Sequence, residues 1–376
     1  METLNKKIKI IHMSSAHPDK DVRIFFKECV SLANNFHPAG FDVEVHLILS
    51  GVEERTDQNV RIHSVEHHGG SRLKRMWSTV NNVYRKAIEL DGDIYHFHDP
   101  ELLRIALKWK RAGKKVVYDA HEDLPRQLMG KAYLKFKKQI SAFFENYENS
   151  VVRKLDAVIT ATPFIRDRFL KINPQSLDVN NFPLESEIEV INDKATRENY
   201  ICFIGGISKI RGTKELVDAM QFVDCTLHLA GGISEDLKQE LVQSAGWKNV
   251  KDIGFIDRKT ALEAKKKALA GVVTFLPLPN HVNAQPNKIF EYMASGLPVI
   301  GSHFPLWKEM IVDNHCGICV NPEAPNEIAE AIKYLQDHPD EVEKMGENGK
   351  RMVAEKYNWN AEEKKLFTLY EKLIYQ

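Results

Sequence analysis

Lys288 and Glu291 lie one helical turn apart in the run Asn283-Ala-Gln-Pro-Asn-Lys-Ile-Phe-Glu-Tyr-Met-Ala-Ser-Gly-Leu-Pro-Val-Ile-Gly301. Pro286 can open a helix, since its missing N–H would be unpaired there in any case, and Gly296 and Pro298 stop that helix before an apolar strand. A lysine in the first turn opposes the helix dipole, so its placement makes sense when an anion shares the site. Free N–H groups following Gln285, Pro286 and Asn287, with Lys288 beside them, form a phosphate pocket. The Glu291 carboxylate, one turn on, is placed to accept hydrogen bonds from sugar hydroxyls. Phe203-Ile-Gly-Gly206 followed by Arg211-Gly212 adds a second phosphate element, in which Gly205 and Gly206 let backbone approach a ligand and Arg211 supplies charge. Alone, that turn reads equally as an ordinary strand-to-helix connection, because it has neither the P-loop nor the dinucleotide spacing. With Lys288 it provides two cations for a diphosphate, and the chemistry indicated is that of a nucleotide-sugar site.

The elements that carry these residues alternate. Strands are expected over 7–13, 43–49, 60–65, 94–97, 115–118 and 157–160, with helices over 22–34, 73–90, 102–111, 131–153 and 163–171 between them. Residues 182–198 break the pattern with Pro183, several acids and no apolar periodicity. Alternation then restarts at 200–204 and runs to 317–320, and residues 326–375 are helical with breaks near Pro339 and 357–360. This order predicts two successive parallel α/β domains, 1–182 and 199–357, a linker 183–198, and a last helix within 358–376. Ligands of open α/β sheets bind at the carboxyl ends of strands. In the first domain those ends carry His17, Asp21 and Arg23, then His98, Asp99 and Glu101, then His121, Glu122 and Asp123. In the second they carry Gly205, Gly206 and Arg211, then Gly231 and Gly232, then Gly254 and Phe255, then the run from Asn283. The first set suits an acceptor and the second a phosphorylated donor, facing each other across a cleft.

At 376 residues with 43% hydrophobic and 28% charged residues the chain reads as a globular protein of two domains. Lys+Arg and Asp+Glu are both 52, which argues against a general nucleic-acid binder. The charge is uneven: residues 1–180 hold 29 basic against 23 acidic residues, and the remainder holds 23 against 29. Five scattered cysteines build no disulfide framework and fit a reducing cytoplasm. Cys316 and Cys319 form a CxxC without a second pair, so no metal site is read there. The apolar run 8–13 is too short for a signal peptide, and nothing approaches a membrane span. The stretch 131–150 interleaves Lys131, Lys135, Lys137 and Lys138 with Tyr133, Leu134, Phe136, Ile140, Phe143 and Phe144. It reads as a surface helix with one buried face, or as a basic amphipathic surface resting peripherally on anionic lipid.

The run Phe290-Glu-Tyr-Met-Ala-Ser-Gly-Leu-Pro-Val-Ile, with Gly205-Gly206, Arg211-Gly212 and Cys316-Gly-Ile-Cys-Val-Asn-Pro, resembles the donor half of glycosyltransferase family 4. His98 and His121 fall where such enzymes carry histidines. The resemblance implies the GT-B architecture, two Rossmann-like domains with residues 359–375 crossing back to the first. It implies a retaining, metal-independent transferase that moves a sugar from a UDP- or GDP-sugar to a glycan or lipid-linked acceptor in surface polysaccharide biosynthesis, with no cofactor. Glu291 would be the second glutamate of the family's E-x7-E motif and would hold the ribose, Arg211 would stand at its lysine position, and His121 would hydrogen-bond the transferred sugar. The base would rest near Gly254 and Phe255. His17, Asp21, Arg23 and His98 are the acceptor-side candidates. Two positions depart from the pattern: Asn283 replaces the first glutamate, and Gly206 stands where a cation is usual. Those departures motivate a competing reading as a silent sugar-nucleotide binder. Two more functions compete with transfer, a sugar-nucleotide epimerase on a similar fold and a metal hydrolase using His98, Asp99, His121 and Glu122.

Overall fold

Apolar side chains point to both faces of the strands, so each sheet must be covered on both sides. In this computed structural model, which describes residues 6–66, 72–130, 135–188 and 197–375, the chain divides into two units, Met1–Asn181 with Trp359–Gln376, and Phe182–Asn358. Among the described residues the first unit has eight strands: β1 (Lys6–Met13), β2 (Phe41–Ser50), β3 (Arg55–Asp57), β4 (Val60–Val65), β5 (Ile94–Phe97), β6 (Lys115–Ala120), β7 (Ala157–Thr160) and β8 (Ser176–Asp178). They run in the order β3-β4-β2-β1-β5-β6-β7-β8. All pairs are parallel except β3 with β4.

One face of this sheet is an apolar core. Ile11, Met13, Tyr95, Phe97 and Tyr118 pack there against Trp109, Val152 and Phe169. On the other face Ile10 and Ile94 are followed by histidines, since the register sets His12 beside His96, and both have no exposed surface. Two helical segments meet those polar residues. Val22–Cys29 is wound as a π-helix, with Phe26 N–H reaching Asp21 O at 3.4 Å, and turns Arg23, Lys27 and Glu28 inward. The last helix, Trp359–Tyr375, packs on the first unit as the resemblance implies: Trp359 Nε1 donates to Ser31 Oγ at 2.7 Å, and Tyr370 Oη meets both His96 Nδ1 (2.8 Å) and His12 Nε2 (3.1 Å).

Three expectations are corrected. The antiparallel strand Arg55–Asp57 and the short strand Ser176–Asp178 flank the regular alternation. The single helix over 131–153 is replaced by Leu124–Gly130 and Lys137–Val152, the second starting after Phe136 in the left-handed region at φ 56°. Lys131, Tyr133 and Leu134 lie outside the described residues. Phe182, expected to end the first domain, and Ile188 of the expected linker pack into the second unit's core, against Phe290 and its neighbours.

The second unit holds β9 (Tyr200–Ile204), β10 (Thr226–Ala230), β11 (Val250–Gly254), β12 (Ala270–Val273), β13 (Val299–Ser302) and β14 (Gly317–Val320), ordered β11-β10-β9-β12-β13-β14. All pairs are parallel. One face buries Leu216, Leu227, Leu241 and Ile332, and the other Phe290, Met293, Trp307 and Ile311. Helix Asn287–Ala294 sits close on this second face: the Tyr292 ring occupies the place of a side chain at Gly271, and Tyr292 Oη accepts from Ile204 N–H at 3.0 Å. Gly271→Ala displaces that ring and lowers the unfolding free energy by about 1–3 kcal/mol, measured as a shift in denaturant midpoint; a midpoint unchanged within error would contradict this packing.

Candidate functional site

In the second unit the carboxyl ends of β9, β10 and β11 converge on glycines. Gly205 N–H donates to Ala230 O and Gly231 N–H to Gly254 O, both at 2.8 Å. Gly205 (φ 121°), Gly231 (φ 149°) and Gly254 (φ 71°) all need the positive φ that glycine tolerates. A side chain at Gly231 would overlap the Gly205 carbonyl, and one at Gly205 would meet Lys288 Cε at 2.7 Å. The loop after Gly206 is pinned: Arg211 Nη1 donates to Gly206 O at 2.7 Å, and Leu276 N–H donates to Ile210 O at 3.1 Å. Phe255 stands 89% exposed beside Gly232.

Helix Asn287–Ala294 follows Pro286 and has no side-chain cap, which leaves its first N–H groups available. The preceding turn is held by Trp307 Nε1, which donates to Ala284 O at 2.7 Å. Lys288 Nζ lies 3.8 Å from the centre of the Phe203 ring and is buried without a hydrogen-bond partner. Burial first, and the Arg211 charge second, push its pKa down to about 7. Gln285 Oε1 is also buried and without a hydrogen bond. Asn283 is half-buried, whereas Asn287 and Glu291 are exposed. Gly205, Arg211 and Lys288 are thus gathered as the spacing predicted, with one cation inside and the acidic group outside.

In the first unit His121 follows β6 and is 20% exposed, with its Nε2 2.8 Å from Asp119 Oδ2. Asp119 was not singled out from the sequence, although the Asp-x-His spacing at a strand end was its signal. It is fully buried and binds Arg23 through Nε (2.9 Å) and Nη2 (2.8 Å), with His98 Nδ1 at 3.1 Å. Burial works against the Asp119 charge, yet Arg23 and the histidines hold its carboxyl well below the usual range. Arg23 and His98 are therefore corrected as acceptor contacts: both are buried, Arg23 is spent on Asp119 and on Val179 O (2.7 Å), and burial takes His98 down to about 4. Asp21 uses one carboxylate oxygen to accept from Arg23 and Ile24 N–H, both at 2.9 Å, as a helix cap.

His17 is half-buried, 3.2 Å from Asp99, which also accepts from Ser14 Oγ (2.8 Å) and Ser15 N–H (2.6 Å). Burial is the largest single influence and opposes the His17 charge, but the hydrogen bond and charge of Asp99, with the charges of Asp21 and Asp119, together outweigh it and raise the pKa. Asp99 is buried, yet His17 and the serines bring it to about 2. Ser14 and Ser15 were not legible as site residues, since nothing in their spacing marks them.

A six-stranded parallel sheet with glycine-lined strand ends and an eight-stranded α/β unit that takes back the last helix are the two domains of the GT-B fold. Residues 185–352 match the family described as Glycosyl transferases group 1, and residues 29–179 match Glycosyltransferase Family 4. The chain belongs to the family 4-type glycosyltransferases. An uncharacterised glycosyltransferase of Methanocaldococcus jannaschii is 21% identical over 324 residues, covering 80% of this chain and 79% of its own. Sucrose-phosphate synthase of Thermosynechococcus elongatus superposes at a TM-score of 0.75 with 16% identity, over 98% of this chain and 99% of that one. HepE of Anabaena, solved with UDP-glucose, superposes at 0.68 with 15% identity, over 98% and 100%. Among the described residues no helix is long and apolar enough to cross a membrane.

Lys288 gives the site a pH signature. It releases its proton near pH 7 when folded, against an ordinary value of 10.5. Between those values the unfolded chain binds more protons, so this contribution to stability rises with pH, and below 7 the full penalty of the buried charge remains. Lys288→Met therefore stabilises the ligand-free protein by on the order of 2 kcal/mol at pH 6. The gain shrinks toward pH 10, and denaturant titrations at several pH values would expose the opposite trend.

Proposed function

We propose that this glycosyltransferase is a retaining enzyme that moves a sugar from a UDP- or GDP-sugar to a glycan or lipid-linked acceptor in surface polysaccharide biosynthesis, with no metal in the transfer step. The observation that carries this reading is the buried, unpartnered Lys288 ammonium beside an uncapped helix start. A diphosphate supplies the missing partner, and its charge restores the Lys288 proton. As the leaving group departs, negative charge grows on that diphosphate, and fixed cations with oriented N–H groups lower the barrier. Arg211, Lys288 and the turn at Gly205 and Gly206 fill this role. Glu291 accepts from the ribose hydroxyls, Phe255 and Gly254 adjoin the base, and Asn283 and Gln285 address the sugar.

In the first unit His121 is the group that hydrogen-bonds the transferred sugar, with Asp119 fixing its ring as a positioning residue. Transfer occurs on one face of the sugar: the acceptor oxygen attacks the anomeric carbon, the bond to phosphate breaks, and a donor phosphate oxygen takes the acceptor proton. No protein nucleophile enters. His17 and Asp21 stay as acceptor-side groups. HepE, whose fold this chain shares, was solved with UDP-glucose, and that supports a nucleotide-sugar donor. Asn283 and Gly206 favour a second reading, a silent sugar-nucleotide binder.

UDP or GDP raises the melting temperature, and Glu291→Ala weakens nucleotide affinity at least about ten-fold, or ~1.4 kcal/mol. Turnover that His121→Ala slows roughly 10²-fold, with the anomeric configuration retained by NMR, supports the enzyme; binding without turnover supports the silent reading, and an inverted product contradicts retention.

Peripheral membrane contact is part of the proposal. Phe136 and Phe143 are 74% and 75% exposed, Ile140 is also exposed, and Lys135, Lys137 and Lys138 are exposed among them. Such a surface inserts apolar side chains at the interface while its lysines meet anionic headgroups. Phe136→Ser with Phe143→Ser should abolish co-sedimentation with phosphatidylglycerol vesicles; equal binding by the variant would dismiss this surface.

A further inference from the structure

The histidine face of the first sheet is not used by the transfer chemistry, and its groups are arranged as ligands. We propose that His12, Glu28, His96 and His98 bind one divalent transition metal of the zinc class in the core of the first unit. All four side chains are buried, and one ligand atom from each lies within 4.8 Å of the others. His12 Nδ1 is 3.0 Å from His98 Nε2 and 3.9 Å from Glu28 Oε2, and His96 Nε2 is 3.8 Å from the same oxygen. Four ligands around zinc at its usual bond lengths stand about 3.3 Å apart, so small side-chain shifts close the shell.

The hydrogen bonds of the metal-free arrangement leave a defect at that point. If His98 Nδ1 donates to Asp119, His98 Nε2 accepts from His12 Nδ1, His12 Nε2 accepts from Tyr370, and Tyr370 accepts from His96 Nδ1. The chain then ends with His96 Nε2 as a bare lone pair facing Glu28 Oε2. Neither of those atoms has a hydrogen-bond partner, and nor does Glu28 Oε1. Two acceptors pointing at each other in a fully buried core call for a shared cation. A proton on Glu28 cannot bridge 3.8 Å. Arg23 does not fill the need at Oε2: its Nε stands 3.2 Å from Glu28 Oε1 only, and its hydrogen bond goes to Asp119.

A metal repairs the defect and leaves every ligand supported. Bound through Nε2, His98 keeps Nδ1–H for Asp119, a carboxylate–histidine–metal arrangement. His12 bound through Nδ1 and His96 bound through Nε2 both direct their remaining N–H to Tyr370 Oη, which has two lone pairs. Arg23 Nε stays 3.2 Å from Glu28 Oε1. Three imidazoles and a carboxylate suit zinc, and four protein ligands leave no open position, so the site is structural and separate from transfer.

The test is metal content of untagged, full-length protein grown with zinc or with cobalt, after dialysis against metal-free buffer. About one equivalent per chain is expected, and the cobalt form should show the ligand-field bands of a four-coordinate ion. Glu28→Gln and His96→Asn should retain less than about a tenth of an equivalent and melt at lower temperature, whereas His121→Asn keeps the metal. If the first two variants fail to fold, the cobalt spectrum of the unaltered chain decides. Folded protein that holds less than about a tenth of an equivalent from either medium, and refolds identically with and without zinc, would overturn the proposal.

Discussion

The pair between Arg23 and Asp119 fixes more of this protein than any other single interaction. Two charges with almost no exposure are stable in a core only when each is satisfied by good geometry, and here the guanidinium uses both ends of its fork on one carboxylate. The π-wound turn that carries Arg23 is thereby tied to strand β6. Asp119 in turn sets the rings of His98 and His121, one inside the domain and one at its edge. A buried aspartate orients a half-exposed histidine, and a buried arginine keeps that aspartate ionised. Loss of Arg23 would leave the buried Asp119 carboxylate with only the two imidazoles to hold it.

The second unit solves the opposite electrostatic problem. It buries a positive charge that has no hydrogen-bond partner, and under the proposed function a diphosphate would be that partner. Lys288 achieves this by lying across the Phe203 ring, where burial weakens its hold on a proton, next to Arg211, which is more exposed and pinned to the Gly206 carbonyl. The glycines at Gly205, Gly231 and Gly254 keep this region free of side chains. The two units therefore carry contrasting chemistry: one ties its buried cation Arg23 to a carboxylate, and the other holds Lys288 without a hydrogen-bond partner.

Much of this was legible in the sequence, because strand and helix periods differ and the parallel pattern is repetitive. Val60–Val65 and Ile94–Phe97 stand where alternation and apolar runs place them, and the helix opening after Pro286 begins at Asn287. Glycines, cations and the Glu291 turn could be read because their chemistry is local. The misses are non-local or too short to signal. Arg55–Asp57 is three polar residues whose only reason to be a strand is a neighbour. Phe136 takes a left-handed conformation just before Lys137–Val152 although its residue type does not signal one, and π-winding at Val22–Cys29 has no mark in the sequence. Above all, His12 looks like any polar position in a strand. Only the register beside His96 and the arrival of Tyr370 from the far end of the chain make it part of a cluster.

That arrival has a consequence for biosynthesis. The last helix belongs to the first unit, so the entire second unit is an insertion within the sequence of the first. As the chain leaves the ribosome, residues up to Asn181 can form strands and pair them, but the polar face bearing His12 and His96 stays uncovered until Tyr370 is made. The insert has all its own strands by then and can fold first. The second unit can therefore close its own core before the helix Trp359–Tyr375 covers the polar face of the first.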